Sequence, residues 1–152
     1  MQAIILQEVD VFERDVARTS GIVRDAGCHI LWSEPSYVSH GNQGRRAAII
    51  TKTVAPPITP SRDLDANAQW LRASGRWVEA LLPVDGGHLY ISSLYGYSGA
   101  SDTTSPTFRR NEALLAAAVV RAAQYGHLPC FIGCDLNCDP TSSGVAHLAR
   151  AA

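Results

Sequence analysis

Short apolar runs rich in β-branched residues recur along this chain, and few strongly periodic helical stretches interrupt them. That alternation limits the folds open to it. The stretches "AIILQEV" (3–9), "CHILWSEP" (28–35), "RWVEALLPV" (76–84), "HLYISSLYGY" (88–97) and "CFIGCDLN" (130–137) have the length and composition of strands. "GNQGRRAAIITKTV" (41–54) reads as a Gly-rich turn leading into another, and "DGG" (85–87) joins 76–84 to 88–97 as a hairpin. A helical pattern runs over 10–27, with Val11, Phe12, Val16, Ile22 and Val23 at roughly helical spacing and Gly27 as a C-terminal cap. The clearest helix covers 107–126, where Phe108, Leu115, Ala118, Val119 and Ala122 form one stripe and Gly126 ends it. The three prolines of 55–75 predict a surface excursion with one short helical turn, 98–106 a polar loop, and Ser143 the start of a further helix. Strands alternating singly or in pairs with helices predict an α/β or α+β sandwich.

A chain of 152 residues, 46% apolar and 18% charged, has the composition of one globular domain with its own core. The formal net charge of −1 argues against capture of nucleic acid by the whole surface, while 12 arginines among 13 basic residues leave room for a local basic patch. No run approaches the ~18 apolar residues of a membrane span. "QAIILQEVD" after Met1 is too short and too soon acidic for a signal peptide, so an intracellular protein, cytoplasmic or nuclear, is expected. Cys130, Cys134 and Cys138 recur every four residues, which in a strand places them with Ile132 and Leu136 on one apolar face. The expectation is of reduced core thiols, with no zinc held by Cys130 and Cys138. Cys28 cannot be paired from sequence, and His40, His88, His127 and His147 are given no catalytic role.

Three of the apolar runs end on polar residues. "AIILQE" ends on Gln7 and Glu8, "YISSLYGY" on Tyr95 and Tyr97, and "FIGCDLN" on Asp135 and Asn137. Strand periodicity sends Asp135 and Asn137 to one face and Cys134, Leu136 and Cys138 to the other. Strands that deliver a carboxylate, a phenol, and an Asp with an amide to one sheet edge would line a crevice. Phosphoryl transfer uses such a set: a carboxylate for a hard cation, another for water, and neutral donors for phosphate. The plainer readings are a solvated Glu8, a Gln7 bonded to backbone, a packed Tyr95 whose role passes to Tyr97, and an Asx turn at Asp135 and Asn137.

"ILQEV", "SLYGYSGA" and "FIGCDLN", in this order and spacing, with the intervening helix and "RRAAIITK" strand in place, resemble the endonuclease/exonuclease/phosphatase superfamily. The resemblance spans nearly the whole chain and implies a four-layer α/β-β/α sandwich of two packed mixed sheets flanked by helices. It makes Glu8 the ligand of a divalent cation, Mg2+ or Mn2+, with Gln7 its neighbour. Asp135 would position or activate the attacking water, Asn137 would contact the scissile phosphate, and Tyr95 or Tyr97 would donate to a phosphate oxygen. Two departures stand out: Cys134 occupies the place of the Gly directly before the Asp, with Gly133 one residue earlier, and neither an Asn-bearing first strand nor a final Asp-His strand is in the sequence. Residues 1–152 are therefore expected to be a partial domain, truncated at both ends. The implied activity is a metal-dependent phosphodiesterase, a retroelement-type endonuclease with nucleic acid as substrate and no obligate protein partner. The alternatives are a phosphatase on a small phosphorylated molecule and an inactive fragment of such a domain.

Overall fold

The computed structural model describes residues 3–35, 45–55, 58, 66–139, 141 and 144. Six strands and three helices follow in the order β1 (Ala3–Asp10), α1 (Glu13–Asp25), β2 (His29–Trp32), β3 (Arg45–Thr51), α2 (Ala66–Ala73), β4 (Trp77–Val84), β5 (Gly87–Tyr95), α3 (Pro106–Ala123) and β6 (Cys130–Asp135). The strands form two three-stranded sheets, β1-β3-β2 and β4-β5-β6. The first is antiparallel throughout; the second is mixed, because β4 and β5 are an antiparallel hairpin and β6 joins β5 in parallel after the α3 crossover. One expected mixed sheet is thus replaced by an antiparallel one, while the four-layer arrangement holds: α1 lies against β2, the sheets face each other, and α2 and α3 cover the far side.

Two cores follow from strand alternation. On β4, Val78, Ala80 and Leu82 look toward the other sheet and meet Ala47, Ile49 and Ile91, whereas Trp77 looks the other way and joins Leu71, Leu94, Phe108, Leu114 and Leu115 beneath the helices. Leu114 and the fully buried Asn111 widen the expected stripe of α3, and Val119 is only partly buried. Ser105 caps α3 by accepting the Phe108 N–H, with Pro106 at the first helical turn. Helix α1 stops at Asp25: Gly27, at φ 74°, donates to the Arg24 carbonyl and Cys28 to that of Val23, a Schellman closure. Region 55–75 departs from expectation, since α2 is a two-turn helix with Ala68 and Leu71 buried against α3 and sheet rather than a surface excursion. The helix expected from Ser143 lies outside the described residues, as do His40 and His147.

The cysteine reading needs correction. Strand β6 lies at a sheet edge, and Cys130 and Cys134 are exposed while Cys138, beyond the strand, is half-buried and packs against the core beneath the helices; none is fully buried. All four thiols are free. No described helix is long and apolar enough to cross a membrane.

Candidate active site

Tyr95 is the last residue of β5 and Asp135 the last of β6, and the two stand opposite each other in the parallel ladder. The face they share looks toward the other sheet. Two residues back on β5, Ser93 Oγ donates to the Leu6 carbonyl of β1 at 2.9 Å, and two back on β6, a Cβ at Gly133 would meet Ile5 Cγ2 at 2.8 Å. The displaced glycine therefore lets β1 lie close over β6, and Cys134 points to the opposite face. After Asp135 the chain leaves the strand. Asn137 is left-handed at φ 51°, its N–H donates to Asp135 Oδ1 at 2.9 Å, and its Nδ2 donates to the Gly96 carbonyl at 3.3 Å. The Asx turn is thus real, and strand parity does not carry Asn137 onto the Asp135 face; the turn brings it back against β5.

Glu8 is reached by a different device. Between Leu6 and Val9 the pairing of β1 with β3 slips by one residue, so Gln7 and Glu8 together face a single residue of β3. Glu8 takes φ 53°, a conformation that costs a non-glycine residue about 1–3 kcal/mol and is held only by surrounding structure. Its Oε1 lies 2.5 Å from Arg45 Nη1, and the same nitrogen donates to the Tyr95 hydroxyl at 3.3 Å. That hydroxyl is 3.5 Å from Ser98 Oγ. Glu8 and Asp135 are therefore tied to one tyrosine, the first through Arg45 and the second through strand register. Gln7 bonds a side chain rather than backbone, its Nε2 donating to Ser93 Oγ at 3.4 Å.

Tyr97 lies past the strand end with two arginines against its ring: the Arg76 guanidinium carbon sits 4.0 Å from its ring centre and that of Arg110 4.8 Å. Arg76 also lies 4.9 Å from the Tyr95 ring and donates to the Gly96 carbonyl at 2.7 Å. It is buried, and no carboxylate among the described residues forms an ion pair with it. Beneath both strand ends Asn111 accepts the Tyr97 N–H at 2.7 Å and donates to the Tyr97 and Leu136 carbonyls at 3.0 and 2.6 Å. Sequence reasoning missed Arg45, Arg76 and Asn111. Asn111 alone left a signal, a polar residue at helical spacing within the Phe108–Leu115 stripe.

No family model matches the sequence, and neither does any curated protein. Solved structures do match. Human Nocturnin's catalytic domain with bound sulfate superposes with a TM-score of 0.66 at 17% identity, covering 99% of this chain and 56% of that one. ANGEL2, a 2′,3′-cyclic phosphatase in complex with adenosine-2′,3′-vanadate, gives 0.64 at 15%, covering 97% and 43%. Sphingomyelinase C from Streptomyces griseocarneus gives 0.57 at 14%, covering 97% and 56%. The fold is the one these structures share, an α+β sandwich of two sheets. The chain spans about half the length of these structures.

The sequence resemblance implies a divalent cation, and oxygen donors for one stand at the strand ends. Glu8 offers a half-exposed carboxylate, Asp135 keeps Oδ2 clear of the Asn137 N–H, and both are hard oxygen donors of the kind magnesium takes while retaining waters. The guanidinium already resting on Glu8 marks a place where positive charge is stabilised. Among the described residues no three His, Cys, Asp or Glu side chains converge, so an ion here would be held by the carboxylates of Glu8 and Asp135 together with water.

Proposed function

We propose that this chain belongs to a divalent-metal-dependent phosphodiesterase acting on nucleic acid. One observation carries the reading: among the described residues, the only non-glycine positions with positive φ are Glu8 and Asn137, two of the residues expected to act, one from each sheet. Strain of that kind concentrates where function sets geometry. Magnesium at Glu8 would supply Lewis-acid stabilisation of charge on the phosphate. Asp135, with Oδ1 engaged by its own turn, holds Oδ2 for a proton of the attacking water. Asn137 has a second Nδ2 hydrogen beyond the one given to Gly96, and that hydrogen serves a phosphate oxygen. Tyr95 is fully buried and its hydroxyl accepts from Arg45, so its own proton points toward Ser98 and its part is to hold Arg45, leaving the phosphate to Tyr97. Tyr97 with Arg76 and Arg110 against its ring offers a cationic aromatic patch for substrate.

The likeness to ANGEL2, a 2′,3′-cyclic phosphatase, favours one competing reading, a phosphatase on a small phosphorylated molecule. The narrower assignment to a retroelement endonuclease rests on the sequence resemblance alone. Single-turnover cleavage of a labelled oligonucleotide, with p-nitrophenyl phosphate alongside, separates the first two. Expected is slow Mg2+-dependent cleavage of the oligonucleotide, lost in EDTA and in Glu8→Gln and Asp135→Asn. Turnover of the monoester alone favours the phosphatase. No turnover of either substrate at high enzyme concentration would show the chain to be inactive, and cleavage indifferent to EDTA or to Glu8→Gln would refute the site.

A further inference from the structure

Arg45 sits in the middle of the site, and apart from its bond to the Tyr95 hydroxyl it has no part in the chemistry above. Its Nη1 is shared between Glu8 Oε1 at 2.5 Å and the Tyr95 hydroxyl at 3.3 Å, and both ion-pair partners are 45% exposed. Nothing packs the guanidinium in place as tightly as Arg76 or Arg46 are packed, since those two are buried. Opposite Arg45 in the ladder stands Asp10, a second carboxylate within reach of a side-chain rotation. A divalent cation on Glu8 and a guanidinium at hydrogen-bond distance from the same oxygen would repel each other at a few ångströms, so one must leave. Resting on the reading of Glu8 as the cation ligand, we propose that Arg45 is an exchangeable counter-ion for Glu8, neutralising it until the cation arrives and setting the cation's affinity by competition. Arg45 is thus a positioning residue. It keeps the strained Glu8 carboxylate aimed at the site without metal, and its bond to Tyr95 gives it a hinge on which to turn away.

The test is Mn2+ binding to the full chain, read as free Mn2+ by electron paramagnetic resonance, with far-UV circular dichroism to check folding. Competition from a half-exposed ion pair is modest, so Arg45→Met should bind Mn2+ about three- to tenfold more tightly than the wild type. Arg45→Gln, which keeps a donor for Tyr95, should do the same and serves if the Met variant folds poorly. Arg45→Lys, which keeps the charge, should stay near the wild type. Glu8→Gln should weaken binding at least tenfold, and adding Arg45→Met to it should then bring no gain. Neutral Arg45 variants that bind no more tightly, with Glu8→Gln still weakening binding, overturn the counter-ion while leaving the Glu8 ligand intact. A Glu8→Gln chain that binds Mn2+ as the wild type does removes the ligand assignment, and the counter-ion falls with it.

Discussion

Replacing Asn111 tests whether the two strand ends of the site are held from below. This side chain is fully buried in α3 and makes three hydrogen bonds, all to backbone beyond β5 and β6: one from the Tyr97 N–H and two to the carbonyls of Tyr97 and Leu136. Asn111→Leu has nearly the same shape and strands all three groups. At about 1 kcal/mol for each lost bond, with the stranded groups shut off from water, the cost is about 3–4 kcal/mol. For a chain of this size that corresponds to a fall in Tm of about 6–16 °C. Asn111→Asp is expected to cost at least as much, because its carboxylate keeps the Tyr97 N–H but faces two carbonyl oxygens where an amide donated. Urea denaturation of the three proteins by circular dichroism gives the numbers. A Leu variant within about 1 kcal/mol of the wild type would show that water or chain movement satisfies these groups, and that Asn111 does not fix the strand ends.

Other parts of the structure are equally open to test. Glu79 and Arg121, 8% and 11% exposed, form a two-pronged pair at 2.9 and 3.1 Å that also receives the Tyr90 hydroxyl. Glu79→Gln should cost about 3 kcal/mol in urea unfolding, and Glu79→Leu with Arg121→Met should recover most of it; an additive loss would refute the coupling. Gly133→Ala should cost about 1–2 kcal/mol by driving a methyl into Ile5, and Ile5→Ala should relieve part of that in a double-mutant cycle. The Thr104 N–H, then the Thr104 hydroxyl, holds the Asp102 carboxyl below its ordinary value. A depressed carboxyl stabilises above the unfolded value of about 3.9 and loses that contribution as pH falls through the folded one. The stability gap between wild type and Asp102→Asn should therefore be present at pH 6 and narrow as acid protonates the carboxyl; a gap independent of pH would refute it.

The hairpin and the α3 crossover were legible because their signals are local. "DGG" names its turn, and the apolar stripe from Phe108 to Ala122 names its helix, although Ser105 and Pro106, read as loop, prove to be its cap and first residue. Residues that depend on a partner strand were not. The slip that turns Glu8 inward exists only in the register of β1 against β3, and nothing in "LQEV" marks it. Whether β6 is interior or at an edge is likewise a property of the sheet, which is why three thiols at strand spacing read as core and none is fully buried. Helix α2 was hidden by its neighbours: the prolines of 55–75 outweighed Ala68 and Leu71, whose burial requires α3 to lie beside them.

Because Glu8 comes from one sheet and Tyr95, Asp135 and Asn137 from the other, the site is only as well defined as the contact between the sheets. Three features fix that contact near the site, and each bears on a different strand. Ile5 over Gly133 sets how close β1 comes to β6, Ser93 to the Leu6 carbonyl sets its position along β5, and Arg45 between Glu8 and Tyr95 bridges the two sheets at the site itself. The first two lie inside the sandwich and have no freedom to rearrange without unpacking it. Only the third is half-exposed and ionic, and so only the third can change when a ligand binds. Glu8 can therefore exchange its partner while its backbone stays where β1 and β6 hold it, which is what a preformed but reversible cation site requires.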